Sequence, residues 1–310
     1  MQRHLVPVSL IGVVGCFLLL SCAKKDKLAE SRTIGVSLLT RQHLFYRDLE
    51  EGLREAATQN RYELIIASAD FDLGKQLGQV QDFIARKVDA IVVCPVDSRG
   101  VGPTILDANK AKIPVFTADI AVQGGTIVSH IASDNVAGGR LAGEYIARVL
   151  KGKGSVAIIN QPAVTSVLDR VRGFNEAISE YPDIRVVADV NGQGVRDRAL
   201  EAASDVLQAN PGLQAIFGIN DDSALGALDA VQQFKRTGVV IVGYDATPPA
   251  VDAIRKGTPL KADVVQYPKK IGITTIEKIR DYLGGTVIPK VVPVEVGMVD
   301  SVALATEPTK

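Results

Sequence analysis

Carboxylate and amide side chains recur at the ends of the apolar segments of this sequence. Asp119, Asn220, Asp245 and Gln266 each follow such a segment within a few residues. Carboxylates and amides hold hydrogen-bond acceptors and donors in a fixed geometry. A polyhydroxylated ligand needs both, because each hydroxyl donates one hydrogen bond and accepts others. The residue types therefore predict a binding site for a sugar-like polyol.

The loop after the first apolar segment, 34–39, adds rings to this polar set. Phe45 and Tyr46 offer flat faces to the C–H surfaces of a sugar ring. The sequence has no tryptophan, so these two residues and a few other aromatics must provide any stacking. His43 lies in the same loop and is a further candidate contact to the ligand.

The sequence lacks the residues of the common metal and cofactor sites. It has three histidines and no cluster of cysteine and histidine, so we expect no metal site. The glycines of a dinucleotide site do not follow the first apolar segment, and no phosphate-binding glycine loop occurs. Asp221 and Asp222 are adjacent, but we predict that one of them caps the helix that follows. We therefore expect a binding protein without a cofactor rather than an enzyme.

Short runs rich in valine and isoleucine alternate with helix-period segments from residue 33 onward. The runs predict strands buried on both faces, at 34–39, 64–67, 90–93, 115–117, 155–159, 186–190, 215–217, 239–242 and 262–265. Strict alternation of strands and helices implies parallel sheets with right-handed crossovers. Two sheets are favoured over one very wide sheet, because single cores seldom grow that large. Open sheets of this kind bind ligands at the carboxyl ends of their strands, which is where the polar residues lie.

The N-terminus has the features of an export signal. Arg3 and His4 precede an apolar run over 5–20 that is short for a membrane span. The run ends in Leu19-Leu20-Ser21-Cys22, which resembles a bacterial lipobox. We interpret 1–21 as a lipoprotein signal peptide, Cys22 as the lipid attachment residue and 22–32 as a polar tether; the alternative is an ordinary signal peptide that contains a cysteine. The protein is thus expected outside the cytoplasm, anchored to a membrane.

The charge and the remaining cysteine exclude other classes of protein. The sequence has 35 basic and 35 acidic residues, and loss of 1–21 removes Arg3 alone among them. A balance this close to zero offers no basic surface for nucleic acid. Cys94 would be the last unmodified cysteine, so no intramolecular disulfide is available, and its apolar surroundings predict a buried thiol.

Three segments together resemble the type I periplasmic binding proteins, in their sugar-binding branch. They are 128–135, 217–228 and 242–248, and the resemblance extends over nearly all of 33–302. It implies an α/β fold of two doubly wound parallel-sheet lobes joined by a three-segment hinge. It also implies a monomer that captures a monosaccharide between its lobes and delivers it to the permease of an ABC importer. The alternative is a sensor of a sugar or autoinducer that presents its ligand to a membrane receptor.

The resemblance also assigns lobes and ligand contacts. The N-terminal lobe is 33–134 plus 267–295, and the C-terminal lobe is 135–266 plus 296–310. Phe45 and Tyr46 take the stacking positions, Asp119 is an acceptor from the first lobe, and Arg170 is a donor from the second. The polar ring is completed by Asn220, Asp245 and Gln266.

Four positions depart from the pattern of the ribose-binding members. Leu39 replaces a small hydroxyl residue, His43 an amide, Ile120 an arginine and Gly194 an aromatic residue of the second lobe. We expect a cleft that is roomier on one side and less cationic. The ligand therefore need not be ribose. Another pentose, a hexose, a deoxysugar and a sugar alcohol are all open.

Overall fold

The computed structural model describes residues 1–2 and 32–306 of the chain. The candidate lipid attachment residue Cys22, the signal segment after residue 2 and the tether up to residue 31 lie outside the described residues. Among the residues that are described, no helix combines the length and the apolar character needed to cross a bilayer.

Strands and helices alternate along the described chain. The elements are β1 (Thr33–Leu38), α1 (Leu44–Gln59), β2 (Glu63–Ser68), α2 (Leu73–Ala85), β3 (Ala90–Val93), α3 (Gly102–Lys110), β4 (Val115–Ala118), β5 (Ser129–Ser133), α4 (Asn135–Val149), β6 (Lys153–Asn160), α5 (Thr165–Ile178), β7 (Asp183–Asn191), α6 (Arg196–Ala209), β8 (Ala215–Gly218), α7 (Asp221–Gln233), β9 (Val240–Asp245), α8 (Pro248–Arg255), β10 (Leu260–Val265), α9 (Pro268–Leu283), β11 (Val291–Val294), β12 (Gly297–Asp300) and α10 (Ser301–Thr306).

The strands form two sheets of six. One has the order β11-β5-β4-β3-β1-β2 and is parallel throughout. The other has the order β12-β10-β9-β8-β6-β7 and is parallel except at its edge, where β12 runs antiparallel to β10. Central strands such as β3, β4 and β8 are fully buried, as expected for strands covered by helices on both faces.

Each of the nine predicted strands is present, and three more complete the sheets. The additional strands are β5, β11 and β12. β11 and β12 are only partly buried edge strands, and β11 contains Pro293. A short, half-exposed strand that contains a proline lacks the continuous apolar run by which the others are predicted.

The chain passes between the two sheets three times. It leaves the first sheet after β5, and α4 then packs against α5, β9 and β10 of the second. It returns after β10, when α9 packs against α1, β4 and β5. It crosses a last time at residues 295–296, between β11 and β12.

His130 has a structural role, and Cys94 is buried as the sequence predicts. The His130 ring nitrogen Nδ1 lies 2.9 Å from the Thr117 hydroxyl, so this histidine is hydrogen-bonded within the first sheet. Cys94 is fully buried, and burial raises the pKa of its thiol well above the ordinary value. A protonated, enclosed thiol is unreactive.

Candidate functional site

A cavity lies where the carboxyl ends of the two sheets face each other. The eight residues proposed as ligand contacts all line it: His43, Phe45, Tyr46, Asp119, Arg170, Asn220, Asp245 and Gln266. Seven further residues, which were not proposed as contacts, complete the lining: Leu39, Ile120, Gln161, Val164, Ser166, Val167 and Ile219. Parallel sheets bring side chains distant in sequence to this shared edge.

The Asp119 carboxylate of the first sheet faces the cavity, and one of its two oxygens accepts a hydrogen bond from the protein. The Tyr46 hydroxyl donates a 2.6 Å hydrogen bond to Asp119 Oδ2. Asp119 Oδ1 is buried and has no protein partner. Burial raises the pKa of Asp119, and the positive charge of Arg170 opposes that shift. The site therefore offers one acceptor oxygen here, on a residue held in the left-handed region at φ 64°.

Arg170 is fixed at the cavity wall by the second lobe. Its Nε donates to Asn135 Oδ1 at 2.9 Å, and its Nη1 donates to the carbonyl oxygen of Ile219 at 2.7 Å. The guanidinium lies over the Tyr244 ring, 3.9 Å from its centre. Nη1 is also 3.9 Å from Asp245 Oδ1, so the cation and this carboxylate attract each other across the buried site. An arginine has five N–H donors, and these bonds leave others for a ligand.

Asp245 and Gln266 form the side of the cavity nearest the second crossing of the chain. Gln266 Nε2 donates to Asp245 Oδ1 at 2.6 Å, while Gln266 Oε1 is buried without a partner. Asp245 has φ 120°, a backbone conformation unusual for any residue other than glycine. Burial raises the pKa of Asp245 well above its ordinary value, and Arg170 opposes this shift.

Asn220, rather than Asp221 or Asp222, caps α7, so the predicted cap was wrong. The Asn220 Oδ1 atom accepts from the backbone N–H of Ser223 at 2.8 Å, and its Nδ2 donates to the Gly194 carbonyl at 3.0 Å. Asp221 instead accepts from the Thr247 backbone N–H and hydroxyl, at 2.6 Å and 2.5 Å. One N–H of Asn220 remains for a ligand. The cap of α4 is Asp134, which accepts from the Ala137 N–H, and Asn135 serves to hold Arg170.

His43 meets the second lobe directly. Its Nε2 lies 3.0 Å from Asp222 Oδ2. Burial lowers the pKa of His43, and the negative charge of Asp222 partly offsets that effect. The pair closes one margin of the cavity between α1 and α7.

The Gln161 side chain lies against Gly194, since a Cβ atom placed on Gly194 would lie 2.3 Å from Gln161 Oε1. The expected extra room on this side of the cleft stays a prediction. Among the described residues, Arg170 is the one arginine or lysine that lines the cavity, in keeping with the expected loss of positive charge at Ile120.

The residues missed by sequence reasoning lie mainly on α5 and on the segment before it. Val167 and Arg170 are three residues apart and lie on one face of α5, and Val164 is the residue at its N-cap. This spacing was a usable signal, since Arg170 was already a candidate. Gln161 directly follows β6 and was visible in the same way as the other polar residues at strand ends.

Comparisons with known proteins agree with this architecture. The family description "periplasmic binding protein domain" matches residues 34–286. The ribose import binding protein RbsB of Salmonella typhimurium is 35% identical over 269 residues, which cover 86% of this chain and 90% of the relative. The xylitol-binding protein of Mycolicibacterium smegmatis is 32% identical over 254 residues, covering 81% of this chain and 72% of the relative.

Solved structures give the same result. One is an ABC transporter periplasmic solute-binding protein from Actinobacillus succinogenes with bound D-allose. It superposes with a TM-score of 0.81 and is 30% identical in sequence; the match covers 89% of this chain and 100% of that one. An ABC transporter solute-binding protein from Mycobacterium smegmatis, with bound glycerol, gives 0.84 at 33% identity over 90% of this chain and 98% of that one. The predicted fold of two parallel α/β lobes is thereby confirmed, as is the prediction of a binding protein rather than an enzyme. The chain belongs to the periplasmic binding protein family, in the sugar-binding branch of type I.

Proposed function

We propose that this chain captures a monosaccharide in the cavity between its lobes and delivers it to an ABC importer. One observation carries the proposal. Two of the buried polar atoms that lack a partner in the described part of the chain line this single cavity: Asp119 Oδ1 and Gln266 Oε1. A buried polar atom without a hydrogen bond costs about 1–3 kcal/mol. The hydroxyls of a sugar would supply the missing partners.

The relatives support the same class of ligand. The names and titles of the compared proteins refer to ribose, xylitol, D-allose and glycerol, which are all neutral polyols. The lining of this cavity suits such a ligand, because Asp119 and Asp245 accept hydrogen bonds while Arg170 and Asn220 donate them.

The three crossings of the chain support the proposed lobes and hinge. The proposed lobes are 33–134 plus 267–295 and 135–266 plus 296–310, and the described part of each contains one sheet with its helices. Asp119 and Tyr46 belong to the first lobe, whereas Arg170 and Asp245 belong to the second. A ligand that contacts both lobes favours the closed arrangement by those contacts.

The test is a thermal-shift screen of the purified protein without its signal segment against monosaccharides and polyols. A ligand at 100 times its Kd adds about 2.7 kcal/mol of stability and raises the melting temperature. For the sugar that gives the largest shift, Asp245→Asn should raise the Kd at least about tenfold, since it removes a charged acceptor from a buried site. Asp205→Asn, on the exposed face of α6, is the matched control. A flat screen, or an unchanged Kd in Asp245→Asn, would contradict the proposed site.

We further propose that Cys22 carries a lipid that holds the binder at a membrane. The support is the lipobox-like sequence Leu19-Leu20-Ser21-Cys22 after an apolar run. In the native bacterium or a related host, Cys22→Ser should release the protein into the soluble fraction and remove the acyl mass from its N-terminal peptide. Cys16→Ser, within the signal segment, should leave both unchanged. A membrane-bound, acylated Cys22→Ser protein would refute the anchor.

Delivery to an importer is tested by uptake. A strain that lacks this protein should lose high-affinity uptake of the sugar found in the screen. Normal uptake together with a lost transcriptional or chemotactic response would favour the sensor instead.

A further inference from the structure

The cavity is polar at one end and apolar at the other. We define the polar end as Arg170, Asn220, Asp245 and Gln266, which are joined to one another or to the backbone by the hydrogen bonds described above. We define the apolar end as Leu39, Ile120, Val164 and Val167, which are 2–3% exposed and belong to one hydrophobic cluster.

The geometry of α5 explains this division. Val164 is the extended residue at the N-cap of α5, and Val167 and Arg170 follow on one face of the helix, about 4.5 Å apart along its axis. The lining thus changes from apolar at the start of the helix to cationic in the next turn. At its start, Thr165 Oγ1 accepts from the Ala121 N–H at 3.0 Å and donates to the Ala121 carbonyl at 3.1 Å. These bonds bring Val164 of one lobe next to Ile120 of the other.

Asp119 Oδ1, on the residue before Ile120, is an unpartnered acceptor, and the other polar atoms near this apolar end are already engaged or few. The Tyr46 hydroxyl is bound to Asp119, so Tyr46 presents mainly its ring. Thr165 is occupied with Ala121 and does not line the cavity. In the first turn of α5, Ser166 is the polar residue that lines the cavity. A sugar hydroxyl directed at Leu39, Ile120 and Val167 would therefore be buried with little to bond to.

From this division, and resting on the proposed function, we propose that the ligand is a terminal deoxysugar. Such a sugar carries a methyl group where its parent carries a hydroxymethyl group. The methyl group packs against the apolar end, and the ring hydroxyls bond to Asp119, Arg170, Asn220, Asp245 and Gln266. A parent sugar would bury the additional hydroxyl against apolar side chains, which lowers affinity.

The experiment compares matched pairs of sugars that differ by one oxygen atom. Calorimetry on the protein without its signal segment uses L-rhamnose against L-mannose, L-fucose against L-galactose, and 5-deoxy-D-ribose against D-ribose. In the pair that binds, the deoxysugar should have a Kd at least about tenfold lower than its parent. If a parent binds as tightly as its deoxysugar or more tightly, as expected if Ser166 serves a terminal hydroxyl, the deoxysugar proposal is wrong while the monosaccharide proposal stands. If no sugar or polyol binds in the screen, both are wrong.

A variant tests the position of the methyl group. Val167→Thr adds one hydroxyl at the apolar end with little change in shape, and it should lower the ratio of parent Kd to deoxysugar Kd several-fold. The ratio is measured within one protein, so a partial loss of folded protein does not affect it. Ile120→Thr tests the facing wall if Val167→Thr does not fold. The control is Leu168→Thr, because Leu168 is 42% exposed on the same helix and outside the cavity, and its ratio should equal that of the wild type. An unchanged ratio in both cavity variants would place the methyl group elsewhere and overturn the assignment.

Discussion

Three buried carboxyl groups surround a single arginine in the second lobe, and this imbalance determines their protonation. Asp245 lines the cavity near Arg170, while Asp221 and Asp263 lie behind it. Burial raises the pKa of Asp221 well above its ordinary value, and the negative charge of Asp263 adds to that shift because nearby carboxylates repel each other. We therefore expect Asp221 to keep its proton, so that Asp263 is the group of the pair that titrates.

This pair makes stability depend on pH. Burial raises the pKa of Asp263 to about 7 from an ordinary value of 3.8. Between those values the folded protein holds a proton that the unfolded chain has released, so stability falls as pH rises through this window. Asp263→Asn is neutral at every pH, and its amide oxygen can still accept from the Ala246 N–H, as Asp263 Oδ1 does at 3.0 Å. We therefore expect Asp263→Asn to melt above the wild type at about pH 8, with a smaller difference at about pH 5.

Thermal unfolding of both proteins at the two pH values measures the effect. Asp205→Asn, on the exposed face of α6, controls for the loss of one negative charge from the protein. A difference between Asp263→Asn and wild type that is the same at both pH values would show that the pair holds no extra proton.

At the scale of elements, the sequence predicts strands that are buried because their own residues are apolar. It does not predict the role of a residue that depends on a partner distant in the sequence. The strand at 90–93 is an apolar run that needs no context, and it is β3. Asn220 caps α7 while also bonding to Gly194, a contact that no local pattern signals. Gln161 lies against Gly194 because the fold brings β6 and the turn after β7 together. The polar strand ends therefore located the cavity, and the resemblance added Leu39 and Ile120, whereas Val164, Val167 and Ile219 were found only in the folded chain.

The close contact of α4 and α5 supports the site from behind. A Cβ atom on Gly139 would lie 1.9 Å from the carbonyl oxygen of Arg170, and one on Gly173 would lie 2.0 Å from that of Val136. The two helix backbones are thus in contact, and α5 carries Arg170 into the cavity from this fixed position.

We expect Gly139→Ala to lower the melting temperature and to weaken sugar binding. The added methyl group must push the Arg170 backbone away, and such overpacking costs about 1–3 kcal/mol. The matched control is Gly78→Ala in α2, where no atom lies within 4 Å of the added Cβ. That variant should be stabilised by up to about 1 kcal/mol, because alanine favours a helix over glycine. Differential scanning calorimetry and calorimetric titration measure both effects, and a Gly139→Ala protein as stable as Gly78→Ala would contradict the account.

At the scale of the whole molecule, the lobes contact each other directly on two sides of the cavity. On one side His43 approaches Asp222. On the other, Ser98 N donates to the Ala163 carbonyl at 3.1 Å, and Thr165 N donates to Ser98 Oγ at 3.1 Å. Thr165 Oγ1 adds the two bonds to Ala121 described above. These contacts need no ligand, so the protein itself contributes to the free energy of closure.

Thr165→Val measures how much the contacts at Thr165 contribute to the free energy of closure. The substitution keeps the shape of the side chain and removes its hydroxyl. Three hydrogen bonds between lobes are lost, two with Ala121 and one of 3.4 Å from Ser98 Oγ. Each has a net contribution of about 0.5–1.5 kcal/mol, so closure should become less favourable by at least about tenfold. Thr165 does not line the cavity. The apparent Kd for the sugar should nevertheless rise, because a binding-competent closed form that is less populated binds with proportionally lower apparent affinity.

Small-angle scattering separates this effect from damage to the site. Without ligand, Thr165→Val should have a larger radius of gyration than wild type, and saturating sugar should bring the two proteins to the same value. Thr58→Val is the matched control, since the Thr58 hydroxyl bonds within its own exposed helix, to the Arg54 carbonyl at 2.9 Å. If Thr165→Val binds sugar as tightly as Thr58→Val and scatters identically without ligand, then the bonds between the lobes follow closure and do not stabilise it.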